Sequence, residues 1–65
     1  MLSLDARVTL TCVETDQVAM GTVIRIKGDR VDVRLDKGEL IVSLFKKRLG
    51  FYVGSKSGLE FVMKL

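Results

Sequence analysis

The sequence contains no histidine, tryptophan, proline or asparagine, and it has a single cysteine. Without histidine the chain lacks the commonest general base and the commonest zinc ligand, so we expect no enzymatic activity, no metal and no cofactor. Cys12 has no partner in the chain for a disulfide, which favours a reducing compartment and predicts a cytoplasmic location. No apolar run approaches the roughly 18 residues of a membrane span, so we expect no membrane insertion.

The chain is rich in both apolar and charged residues. Its 65 residues are 48% hydrophobic and 29% charged, which predicts one small domain over residues 1–65. The net charge of +3 is unevenly distributed along the chain. Residues 1–24 carry one basic and three acidic side chains, whereas residues 25–65 carry ten basic and five acidic ones. Any surface that faces an anion is therefore expected in the second part of the chain.

Apolar and polar residues alternate along most of the chain, and this period of two predicts β-strands. The first strand is predicted over residues 6–13, where Val8 and Leu10 share a face, and a polar turn follows at residues 14–17. Gly21 in the second strand indicates a bulge or a bend. The residues expected on the inner face of this second strand are Met20, Ile24 and Ile26.

Residues 27–30 lie between two alternating segments and predict a hairpin turn. In the third strand the valines at 31 and 33 are expected inside, with Asp32 on the outer, solvated face. A fourth strand is predicted to begin at Leu40. The basic run at 46–48 is then interpreted as a connection, and residues 54–58 as a loop before the last strand.

Short strands at regular spacing with tight turns indicate an all-β fold, a small five- or six-stranded antiparallel barrel. Closure into a barrel would also remove the free strand edges that such an apolar chain would otherwise expose. The predicted core consists of Val8, Leu10, Met20, Ile24, Ile26, Val31, Val33, Leu35, Leu40, Val42, Leu59 and Phe61.

Several basic residues could form a surface for an anion or a nucleotide. Arg30 and Arg34 lie four residues apart on one strand and so share a face, about 13 Å apart. An aromatic ring, Tyr52 or Phe51, could add a stacking face. The alternative is that these bases only keep an apolar barrel in solution. The candidate anion-binding residues are Arg30, Arg34, Lys46, Lys47, Arg48, Lys56 and Tyr52.

The fourth strand is apolar on both faces, which predicts self-association, with a homodimer as the expected form. Ile41 and Phe45 fall on the face opposite Val42. The alternative is that the segment 46–50 folds over these two side chains within one chain. The candidate self-association residues are Ile41, Phe45, Phe51 and Val62.

Residues 20–35, together with the Gly-Leu-Glu-Phe-Val ending at 58–62, resemble a small PilZ-type barrel. The resemblance implies a regulatory or adaptor module that acts through protein partners, with a cyclic dinucleotide as a further ligand. Family members that bind this ligand carry an R-x-x-x-R pair and a [D/N]-x-S-x-x-G turn. Arg30 and Arg34 have the first spacing within a hairpin strand, and Val53 stands where the second motif has its acid or amide.

Residues 7–35 also resemble the first three strands of an Sm-like or other SH3-like barrel, in which a G-x-V strand precedes an aspartate turn. That resemblance implies RNA binding on the basic face. The Arg48-Leu49-Gly50 segment only partly matches the arginine-glycine turn of the Sm family. The sequence therefore predicts a binding module, with a PilZ-like adaptor as the first hypothesis and an RNA-binding barrel as the alternative.

Overall fold

Six antiparallel strands form a closed barrel in the computed structural model, which describes residues 2–65. Each strand pairs with the next along the chain, and the last pairs with the first. The predicted all-β barrel is confirmed, with six strands and no helix among the described residues. The strands are β1 (Arg7–Cys12), β2 (Val18–Lys27), β3 (Arg30–Leu35), β4 (Ile41–Arg48), β5 (Phe51–Lys56) and β6 (Leu59–Lys64).

Two-residue turns connect the strands of three of the hairpins. The β2–β3 turn follows the prediction, with Gly28 at a φ of +59°. The β5–β6 turn consists of Ser57 and Gly58, at φ values of +54° and +81°, which is the backbone of a type I′ turn. The predicted loop at 54–58 is therefore wrong, because its first three residues belong to β5. The basic run at 46–48 likewise continues β4 instead of forming a connection.

The interior is filled mainly by valine and leucine side chains, together with Cys12, Phe61 and Met63. Most of the predicted core is confirmed, and Cys12, Val23, Leu44 and Met63 are added to it. The buried apolar residues are Val8, Leu10, Cys12, Val23, Val31, Val33, Leu35, Val42, Leu44, Phe61 and Met63.

The prediction for β2 is wrong, because the residues facing inward are Gly21 and Val23. Met20 lies on the outer face opposite Thr9, and a bulge between Val23 and Arg25 interrupts the alternation. Beyond the bulge, β2 extends past the first residue of β1, so this part of β2 has no neighbouring strand on the β1 side. The exposed side chains of β2 that were expected inside are Met20, Ile24 and Ile26.

Leu40 and Leu59 are also more exposed than predicted, at 44% and 37%. Leu40 precedes β4 and lies in the β3–β4 turn, where its carbonyl accepts a hydrogen bond from the N–H of Leu35 at 2.7 Å. Leu59 is the first residue of β6. It keeps the alternation with the buried Phe61 and Met63 but lies beyond the buried part of the strand.

Two inward-facing glycines allow the barrel wall to close. A Cβ atom at Gly54 would lie 2.1 Å from the carbonyl oxygen of Ser43, and one at Gly21 would lie 2.6 Å from Cγ1 of Val33. The predicted bend at Gly21 is therefore a close approach of strands, and the bulge lies further along β2. Any side chain at either position would push neighbouring strands apart.

We expect Gly54→Ala to destabilise the barrel by about 3 kcal/mol or more, since a clash with backbone exceeds ordinary overpacking. That loss is a large part of the roughly 3–10 kcal/mol available to a chain of this length. Urea unfolding followed by circular dichroism measures it. Gly28→Asn is the control, because nothing lies within 4 Å of its Cβ position and asparagine tolerates a positive φ. Equal losses in the two variants would contradict the steric explanation.

Candidate functional site

Most of the basic residues gather at one end of the barrel. The strands alternate in direction, so β2, β4 and β6 end where β3 and β5 begin. β1 also begins at this end, where the N–H of Asp5 donates to the carbonyl of Val23 at 2.8 Å. We call this the basic end; among residues 2–6, 24–32, 45–51 and 63–65 its acids are Asp5, Asp29 and Asp32. Its seven bases are Arg25, Lys27, Arg30, Lys46, Lys47, Arg48 and Lys64.

The opposite end of the barrel has the reverse charge. It holds two bases, Lys37 and Lys56, so Lys56 does not join the other predicted anion-binding residues. Its five acids are Glu14, Asp16, Asp36, Glu39 and Glu60. The charges of the folded barrel are therefore divided between its two ends, and this division differs from the one between residues 1–24 and 25–65.

The β2–β3 turn and the end of β4 meet at the basic end. The backbone N–H of Lys46 donates to the carbonyl of Asp29 at 2.9 Å, which holds the two segments together. A bulge between Lys46 and Arg48 turns Lys47 out of the regular alternation. Three consecutive basic side chains therefore point in different directions around this end.

Sequence reasoning missed Arg25, Lys27 and Lys64 as members of this group. Lys27 pairs with Arg30 across the hairpin, Arg25 pairs with Asp32, and Lys64 pairs with Phe51. These residues are far apart in the chain, and only the order of strands in the closed barrel shows that they share one end.

Arg30 is tied to a neighbouring acid. Its Nε donates to Asp32 Oδ1 at 3.0 Å and its NH2 to Oδ2 at 3.3 Å. Asp32 was expected to be solvated but is 5% exposed, and the Arg30 guanidinium holds the pKa of its carboxyl below the ordinary value. Arg34 lies on the other side of Asp32, beside Thr22 and Ile41. An acid therefore separates the two arginines, which opposes a paired-arginine clamp on one anion.

The two aromatic rings that could stack on a nucleotide already make contacts within the protein. Tyr52 pairs with Lys46 and Met63 and packs against the core, so its ring helps to close the barrel. The guanidinium of Arg48 lies over the ring of Phe51, 4.8 Å from its centroid. This pair is a cation–π contact, so the guanidinium already covers one face of the Phe51 ring.

The candidate self-association residues lie on the outer face of β4, β5 and β6. Ile41 and Phe45 are 45% and 51% exposed, so the segment 46–50 does not fold over them. Phe45 pairs with Val53, which pairs with Val62, and together they form a continuous apolar row. Phe51 lies outside this row, beside Lys64 at the basic end.

Two polar contacts that the sequence did not predict join distant parts of the chain. Arg7 donates to Thr22 Oγ1 at 2.9 Å and to both carboxylate oxygens of Asp36, which lowers the pKa of Asp36 and raises that of Arg7. Glu14 Oε1 accepts the backbone N–H of Glu60 at 2.9 Å, and this bond lowers the pKa of Glu14. Both contacts join segments toward the acidic end, and neither involves a residue of the basic end.

Comparison with protein-family models, with curated proteins and with solved structures gives no match. The PilZ-like and Sm-like resemblances therefore stay predictions. In residues 2–65 no three histidine, cysteine, aspartate or glutamate side chains are grouped so that they could hold a metal ion. No helix within that range is long and apolar enough to cross a membrane.

We expect Arg30→Met to raise the pKa of Asp32, measured by NMR titration of its carboxyl carbon. The folded-state pKa lies below the unfolded value of about 3.9, so this group stabilises the barrel above that pH. Its contribution falls as pH drops through the folded-state pKa. Arg34→Met is the matched control, since Arg34 is equally close to Asp32 in sequence but does not form its ion pair. A similar rise in both variants would contradict the conclusion that Arg30 is the residue that lowers the pKa of Asp32.

Proposed function

We propose that this protein is a non-enzymatic binding module that holds a phosphate-bearing polymer, single-stranded RNA in the first place, at its basic end. The observation that carries the proposal is the segregation of charge, with seven bases and three acids at that end. Phosphate contacts through lysine and arginine supply most of the sequence-independent affinity for nucleic acids.

The acids at the other end do not cancel this attraction. The barrel measures 27 × 23 × 17 Å, and each dimension is at least twice the Debye length of about 8 Å at physiological ionic strength. A ligand that approaches the basic end is therefore screened from the acids of the opposite end. One of the three local acids, Asp32, is already paired with Arg30.

The arrangement suits a polymer better than a compact anion. The basic side chains lie at the ends of four strands and do not converge on one pocket. A single strand of RNA can place successive phosphates along such a surface.

A regulatory or adaptor role, implied by the PilZ resemblance, is the second candidate function. The observation that favours it is the exposure of Ile41 and Phe45 on the outer face. A protein partner bound there would be held by apolar contact, which depends little on salt concentration. Salt dependence therefore separates the two candidates.

We expect an RNA of about ten nucleotides to bind with an affinity that falls steeply with salt. Four phosphate contacts would give about a 50-fold loss between about 50 and 200 mM salt. Fluorescence anisotropy with labelled RNA measures this, and cyclic di-GMP is titrated under the same conditions. Absence of RNA binding at low salt would overturn the proposal, and binding of cyclic di-GMP alone would support the PilZ-like alternative.

A pair of double variants tests where the RNA lies. Lys46→Gln/Lys47→Gln removes two charges from the basic end. It should reduce the steepness of the plot of log affinity against log salt concentration by about 1.4. Lys37→Gln/Lys56→Gln removes the same charge from the opposite end and should leave the slope unchanged. If both weaken binding equally, the protein responds to net charge alone and has no site at the basic end.

A further inference from the structure

The outer face of β4, β5 and β6 has three rows of side chains that cross the strands. Pairing across the strands defines the rows, since Phe45 faces Val53, and Val53 faces Val62. The middle row is Phe45, Val53 and Val62. The row toward the basic end is Arg48, Phe51 and Lys64. The row toward the acidic end is Ser43, Ser55 and Glu60.

The middle row forms an apolar surface in which Phe45 is exposed and Val53 and Val62 are half-buried. Phe45 is 51% exposed, and Ile41, also exposed, lies on the same face of β4 beyond Ser43. A shallow depression of about 350 Å³ adjoins the Phe45 ring, between Val53 and the polar row. This hollow gives an aromatic ring from another molecule room to pack, which a uniformly convex barrel wall would not.

We propose that this face binds a second copy of the chain, with a two-fold axis running along the middle row. The axis brings the Phe45, Val53 and Val62 side chains of one copy against the same residues of the other. Such a contact is self-complementary, because each copy contributes the same patch. Each of the six strands pairs with a neighbour on both sides, so we place the contact on the outer face of the barrel and not at a strand edge.

Charge complementarity supports a second copy as the occupant and fixes this axis. Glu60 and Lys64 lie four residues apart on the same face of β6, one on each side of Val62. Rotation about the middle row exchanges the two sides, so Glu60 of each copy comes opposite Lys64 of the other. The ion pair therefore forms twice in the dimer.

The alternative face-to-face arrangement has its axis parallel to the strands. It would bring Lys64 opposite the basic row and Glu60 opposite the acidic-end row of the second copy. Opposed like charges disfavour it. The antiparallel dimer is thus the arrangement that satisfies both the apolar row and the flanking charges.

A charge exchange tests the geometry. Glu60→Lys and Lys64→Glu should each weaken the dimer about tenfold or more, because each places like charges opposite one another twice. The double variant Glu60→Lys/Lys64→Glu should restore dimerisation, since it reverses both members of the pair. Sedimentation equilibrium over a concentration series measures the dissociation constants. Failure of the double variant to recover would overturn the proposed axis.

Substitutions in the apolar row test the surface itself. Phe45→Asp should give a monomer by light scattering, with the barrel intact by circular dichroism. Met20→Asp is the matched control, because Met20 is 44% exposed on the outer face of β2, away from the three rows. A wild-type protein that is monomeric at every concentration, or a dimer that persists in Phe45→Asp, would overturn the proposal.

Discussion

Closure of six strands around a very narrow interior is the constraint on which the rest of this structure depends. The radius of gyration is 10.5 Å, and the wall closes only because Gly21 and Gly54 let neighbouring strands approach where any Cβ would collide with them. So narrow an interior is filled mainly by aliphatic side chains, with Phe61 as its single buried aromatic residue among those described. Several other large apolar side chains, among them Met20, Ile41 and Phe45, lie on the outer face instead.

The meander topology then determines where the charges lie. Each strand reverses the direction of the one before it, so alternate connections fall at the same end of the barrel. Bases from the ends of β2, β4 and β6 meet although they are distant in sequence, while the acids of the β1–β2 and β3–β4 turns meet at the other end. Polar side chains stabilise the acidic end through the Arg7–Asp36 ion pair, whereas the exposed lysines of the basic end repel one another. A binding surface commonly has this character, since the repulsion is relieved when an anion arrives.

The alternation of apolar and polar residues predicted correctly the strands in which it is regular. The valines of β3 are buried as expected because that strand has neighbours on both sides and no irregularity. Prediction failed in β2, where a bulge reverses the alternation and apolar residues occur on both faces. It also failed at 46–48 and 54–58, where charge and glycine content suggested loops but barrel closure required longer strands. The basic end could be found only in part, since the grouping of Lys27 and Lys64 with the predicted bases depends on strand order and not on local pattern.

The pairing of β1 with β6 has a consequence for how the barrel opens. Only Thr11 with Val62 and Cys12 with Phe61 are in register across this junction, supplemented by a hydrogen bond from the N–H of Val13 to the carbonyl of Glu60 at 2.8 Å. All other neighbouring strands are joined by a hairpin and make contacts that are local in sequence, whereas this junction joins the two ends of the chain. It is the natural place for sub-global opening, and its amide protons should exchange with solvent before those of β3 and β4. Opening there would release two unpaired strand edges, the form in which an otherwise edgeless protein could exchange strands with a second molecule.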